Sequence, residues 1–167
     1  MEKYEEALEK ARRKLHIADH MVCVTYPLLR DNKLLVAALE NLFLALTNSM
    51  GALLYYERLY KQVPPFHDTF ESKFNLFKLK MVRKYRFDTA YLPLMEEIKN
   101  IIIQHRKSPV EFARKDSFVI CTDNYRTFTV TLVAIKGYIA KTKTFLEKIQ
   151  SIVEKNLTKN ERITVSL

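Results

Sequence analysis

Leu34-Leu35-Val36-Ala37-Ala38-Leu39-Glu40-Asn41-Leu42-Phe43-Leu44-Ala45-Leu46-Thr47-Asn48-Ser49-Met50-Gly51-Ala52-Leu53-Leu54 is the longest apolar stretch of this 167-residue chain. It either crosses a bilayer or fills the middle of a domain. Glu40 near its centre would cost a few kcal/mol in hydrocarbon, and Asn41, Thr47, Asn48 and Ser49 add to that cost. Leu34, Leu35, Val36, Leu39, Leu42, Phe43, Leu46, Met50, Leu53, Leu54 and Leu59 cover most sides of a helix running from about residue 33 to 61. A helix apolar nearly all round sits at the centre of its domain. Arg30-Asp31-Asn32 reads as the turn and cap before it, and Val63-Pro64-Pro65 stops it.

Amphipathic segments flank this helix. Residues 2–25 carry Tyr4, Leu8, Ala11, Leu15, Ala18 and Val22 in steps of three and four, one stripe of a helix that Pro27 ends or bends. Glu6–Lys10 and Glu9–Arg13 are i,i+4 pairs on its wet side. Residues 69–85 place Phe70, Phe74, Phe77 and Met81 inward. Asp88 or Thr89 caps a fourth helix to about Arg106, with the stripe Tyr91, Leu94, Met95, Ile98, Ile101 and Ile102. Ser108-Pro109-Val110-Glu111 has the form of a capping box that starts a short helix. The β-branched and aromatic run from Ser117 to Thr122 reads as a buried connector, because a lone strand would have nothing to pair with. Asp123 or Asn124 then caps a last helix to about Lys155, on Phe128, Leu132, Ile135, Ile139, Thr142, Leu146, Ile149 and Val153.

Only two glycines serve the whole chain, too few for the tight turns of a sheet-rich fold. The expected fold is therefore all-α, an antiparallel bundle of about five helices, with one domain over residues 1–156 and a flexible tail over 157–167. The charged N-terminus lacks a signal-peptide core, and Cys23 and Cys121 share no metal or disulfide spacing. These features predict a reducing, cytoplasmic setting without a membrane. The net charge of +9 and the pI of about 9.5 favour anionic partners.

Catalytic patterns are missing from the sequence. Gly51 and Gly137 are too far apart for a phosphate loop, and there is neither HExxH nor the Glu-x-x-His of di-iron bundles, so no cofactor is expected. His16 and His20 have the i,i+4 spacing of two metal ligands without a third, so two exposed histidines and no metal are the simpler reading. The densest polar cluster runs from Gln104 to Lys115. There His105, Arg106, Lys107, Ser108, Arg114 and Lys115 would surround the N-terminus of the short helix, where free N–H groups and the helix dipole favour phosphate. Arg83, Lys84 and Arg86, interleaved with Tyr85 and Phe87, form a second basic face suited to a nucleic-acid backbone.

The alanine spacing of the first helix (Ala7, Ala11, Ala18) and the Val36–Leu46 run of the second resemble the HEPN domains, helical bundles of prokaryotic toxin–antitoxin and RNA-processing systems. Catalytic members of that family carry an Arg, four to six residues and a His near the start of a late helix. Here the only formal match is Arg13 to His20, in the first helix, so the nuclease role does not carry over. The resemblance implies a non-catalytic binding module for RNA, a nucleotide or a protein partner, often dimeric. Three functional expectations follow. The first is a non-enzymatic binder of RNA or another polyanion. The second is a protein-interaction module, docking along an exposed continuation of the last helix towards Val153. The third is a ribonuclease using Arg13 and His20.

Overall fold

The computed structural model describes residues 1–108, 110–122 and 124–166. Five helices account for 74% of the chain, and a small three-stranded antiparallel sheet joins them. The class is therefore mostly α rather than all-α. Helix α1 spans Lys3–His20 and continues without a break through a π-helical turn, Met21–Thr25, into Tyr26–Leu29. Helix α2 is Lys33–Leu59. Helix α3 is Phe70–Leu76, prolonged by a second π-helical turn, Phe77–Met81, and by Val82–Tyr85. Helix α4 is Tyr91–Lys107 and α5 is Leu132–Val165, with strands β1 (Val110–Arg114), β2 (Ser117–Cys121) and β3 (Thr127–Thr131) between them.

The core follows the apolar registers. Tyr4, Leu8, Ala11, Leu15, Ala18 and Val22 of α1 are all buried, against Leu35, Leu39, Leu42, Leu46, Met50 and Leu53 of α2. Three residues separate α1 from α2, so the two run antiparallel as neighbours. Phe77, Phe87, Tyr91 and Phe145 form an aromatic cluster with ring centroids 4.9–5.6 Å apart, tying α3, α4 and α5 together. Helix α2 is long and apolar enough to cross a bilayer, and half of its most apolar window is buried inside the bundle. With so few glycines, tight corners fall to other residues. Arg30, Lys61, Arg86, Asp116 and Tyr125 all take left-handed backbone, at φ between 52° and 58°.

The sheet corrects three expectations. Residues 110–114 form a strand, not the first turn of a helix. The run from Ser117 is not a lone connector, because β1 and β3 pair on either side of it, with Phe112 opposite Val119 and Val119 opposite Thr129. The last helix starts at Leu132 rather than near residue 124, and Thr131 caps it by accepting a hydrogen bond from the Ala134 N–H at 3.1 Å. Pro109 and Asp123, read as a first helical residue and a cap, lie outside the described residues. Towards the C-terminus α5 runs on to Val165, through the segment expected as a flexible tail, and the Asn160 side chain donates to the Tyr56 hydroxyl at 3.4 Å. Replacing Thr131 by Ala is expected to cost about 1 kcal/mol, read as a shift of the urea midpoint with an unchanged slope.

Burial also sets the phenols. Tyr56 and Tyr138 are pushed up to about 12, and Tyr85 is raised further, in each case chiefly by burial. Carboxylates add to this, Glu97 accepting from Tyr138 at 2.9 Å and Glu57 accepting from Tyr85. A raised folded-state value means that the unfolded chain releases its phenolic protons first. The protein is therefore expected to lose stability as pH climbs above about 10. Ultraviolet absorbance titration should show these phenols ionising well above the ordinary value of about 10 as long as the protein is folded.

Candidate functional site

The predicted cluster lies where the last turn of α4 meets the sheet, and its local structure is the reverse of the one expected. A helix C-terminus stands there rather than an N-terminus. His105, Arg106 and Lys107 occupy its last turn, where cations offset the negative end of the dipole. The anion cradle of free N–H groups is therefore absent from this cluster. Ser108 is not an N-cap: its hydroxyl lies 2.6 Å from the Val110 carbonyl and 3.0 Å from the Cys121 carbonyl, fastening α4 to the sheet. Arg114 lies with its guanidinium 5.4 Å from the Phe112 ring centroid, and Lys115 sits in the exposed turn between β1 and β2.

The end of α4 presents two different faces. On one, His105 and Glu111 pair at 2.5 Å and line a groove of about 590 Å³ with Lys33, Val36, Glu40 and Phe118. Its wall is fixed by Asn32, whose amide donates to the carbonyls of Ser117 at 2.5 Å and Arg114 at 3.1 Å. Arg30 of the same groove donates to Asp116 at 2.7 Å, and Asp116 also accepts from the Tyr26 hydroxyl at 3.1 Å. This face carries both signs of charge.

The other face is different in kind. Asn100, Gln104 and Lys107 follow one another along α4 and face the loop joining β2 to β3. Together with Thr122, Asn124, Arg126, Thr127 and Phe128 they enclose a cleft of about 530 Å³. Its lining holds two cations, three carboxamides, two hydroxyls and one aromatic ring, and no carboxylate among the described residues. The loop is held by the carbonyl of Arg126, which accepts from the Thr122 N–H at 2.8 Å and the Thr122 hydroxyl at 3.1 Å. Of the residues foreseen from sequence only Lys107 lines this cleft. The signal for the others was the i, i+4, i+7 spacing of Asn100, Gln104 and Lys107, together with the Arg126 that follows Asn124-Tyr125.

The second basic face is elsewhere. Lys78, Lys80, Arg83, Lys84 and Arg86 are all exposed on or just beyond α3. Lys84 is engaged with Glu57 of α2 at 2.6 Å, and Lys148 of α5 donates to the Arg86 carbonyl at 2.7 Å. Seventeen residues of α2 separate Glu57 from Glu40 of the mixed-charge groove, about 25 Å along the helix. The two basic regions therefore do not form one site.

Arg13 lines a pocket between α1, α2 and α3, whereas the His20 imidazole is exposed and lies 3.4 Å from the Thr25 hydroxyl. His16 and His20 are both exposed, with ring centroids 6.4 Å apart. Among the described residues no group of three or more His, Cys, Asp or Glu is placed to hold a metal. Val153 is buried, so the stripe of α5 up to that residue packs into the core, whereas Ile163 and Val165 further along the helix are exposed. The chain matches no protein-family model, and neither a curated protein nor a solved structure is similar to it.

Proposed function

We propose that the protein is a non-enzymatic helical module that binds RNA or another polyanion in the cleft between α4 and the β2–β3 loop. The observation that carries this reading is the convergence of Lys107 and Arg126 with amide and hydroxyl side chains in one cleft, with no carboxylate among the described lining residues. Lys107 and Arg126 neutralise phosphates. Asn100, Gln104 and Asn124 supply donors to backbone and base edges, and Phe128 offers a ring for stacking. Exposed Arg106 extends the positive field along the end of α4. The HEPN-like layout of the helices belongs to the same proposal, with this chain as a non-catalytic member.

Affinity for a mixed-sequence single-stranded RNA is expected to fall steeply with salt, because each neutralised phosphate releases bound counterions. Equal affinity at low and moderate salt, measured by fluorescence anisotropy, defeats the proposal. A protein partner is favoured by one other observation: Val24, Leu28 and Leu29 are exposed at the end of α1. A stoichiometric protein that co-purifies after nuclease treatment would carry that second reading.

A further inference from the structure

A pocket of about 390 Å³ opens where α1, α2 and α3 meet, lined by Lys3, Glu6, Ala7, Glu9, Lys10, Arg13, Asn48, Tyr55, Asp68 and Lys73. Two small residues lie near it. Ala7 stands on α1, and Gly51 lies within the unbroken α2, at a position where glycine costs about 0.5–1 kcal/mol relative to alanine. A Cβ at residue 51 would lie 3.4 Å from Lys73 Nζ and 3.5 Å from its Cε, ordinary contact distances, so the lysine side chain runs along this face of α2.

Lys73 is only 6% exposed, which is rare for an ammonium. Its carboxylate partner is Asp68, at 2.5 Å, which comes from the loop before α3 with its side chain 78% exposed. The Tyr55 hydroxyl donates to the same carboxylate oxygen at 3.2 Å, and the Tyr55 ring centroid is 5.6 Å from the ammonium. An ammonium has three N–H donors, so one carboxylate oxygen leaves it under-used. Lys3, Lys10 and Arg13 line the same pocket, and among the described residues none of them forms an ion pair. Glu6 and Glu9 also line the pocket, so its four cations face three carboxylates; Lys73 foremost, with Tyr55 and Lys10 adding, holds the Asp68 carboxyl below its ordinary range.

We propose that this pocket binds the phosphate monoester of a small molecule, with Arg13 and Lys10 of α1 and Lys73 of α3 on the phosphate and Asp68 displaced from Lys73. Arginine grips a phosphate through two parallel hydrogen bonds, and a dianion outcompetes the single charge of Asp68. The volume suits a ligand of mononucleotide size. Asp68 is a tethered stand-in that keeps the buried lysine paired while the pocket is empty of ligand. The site is separate from the cleft at α4, with which it shares no lining residue.

Isothermal titration of the full chain with adenosine monophosphate, and separately with inorganic phosphate, tests this. Adenosine monophosphate is expected to bind saturably at one site. Arg13→Gln should weaken it about tenfold or more, a loss of 1.4 kcal/mol or more. Asp68→Asn should tighten it several-fold by removing the competing carboxylate. Lys107→Gln with Arg126→Gln should leave it unchanged. The proposal is overturned by no saturable binding, by Arg13→Gln and Asp68→Asn variants that bind like the parent, or by loss of binding in the Lys107/Arg126 variant. Binding of inorganic phosphate without the nucleotide overturns the ester assignment.

Discussion

Glu57→Ala is expected to destabilise the protein by about 3–5 kcal/mol, the largest effect of any single polar substitution in the bundle. Glu57 is 2% exposed, near the end of the central helix. Lys84 lies 2.6 Å from one carboxylate oxygen, and the Tyr85 hydroxyl donates to the other. The same Tyr85 oxygen accepts from Asn156 of α5 at 3.2 Å, so this carboxylate fastens α2, α3 and α5 to one another. Removing it strands two donors of unequal freedom. The Lys84 side chain is 42% exposed and can turn to water, whereas the half-buried Tyr85 hydroxyl keeps only Asn156. The loss should therefore fall at the lower end of that range and come mainly through Tyr85. Lys84→Met should cost less than Glu57→Ala, and a Tyr85→Phe, Glu57→Ala double variant should be little worse than Glu57→Ala alone. Urea denaturation measures all of these. A Glu57→Ala protein within 1 kcal/mol of the parent would mean that the buried carboxylate holds nothing together.

The helices were legible in the sequence and the sheet was not, for a definite reason. Every residue of the first stripe, from Tyr4 to Val22, is buried, because a steady three-four rhythm over eighteen or more residues has one cheap solution. Each strand has only five residues, and its signal was outvoted by a helical one. Ser108-Pro109-Val110-Glu111 satisfied the capping box in letters, while the Ser108 hydroxyl is spent on the carbonyls of Val110 and Cys121. Thr127-Phe128-Thr129-Val130-Thr131 alternates with a period of two, but Phe128 and Leu132 also stand four apart, and the helix reading absorbed them. With both neighbours assigned to helices, Ser117–Cys121 had no partner to pair with. One error thus produced the other two. The candidate cleft was hidden for the same reason, since five of its eight residues belong to the β2–β3 hairpin and the loop it carries. The buried Lys73 and Glu57 were equally invisible, because a charged letter on a helix says nothing of the Asp68 or Tyr85 that partners it.

Reversing the charge of Lys107 and Arg126 together, as Lys107→Glu with Arg126→Glu, is expected to lower RNA affinity about a hundredfold, or about 2.8 kcal/mol. The slope of log affinity against log salt should become shallower by about 1.4 for two lost contacts on a single strand. The same double reversal at Arg83 and Arg86 is the decisive control. Those residues lie at the end of α3, just before α4 begins at Tyr91, whereas Lys107 ends α4 sixteen residues later, about 24 Å along that helix. The screening length at physiological salt is about 8 Å, so their charge does not reach a ligand in the cleft. A short oligonucleotide filling the cleft should lose less than about threefold on that reversal, while a longer strand that tracks across the bundle should lose more. Length therefore separates a seated ligand from one attracted by the net charge of +9 alone. If the α3 reversal costs a short oligonucleotide as much as the cleft reversal does, the protein responds to total charge, and the pairing of Lys107 with Arg126 in the cleft has no part in recognition.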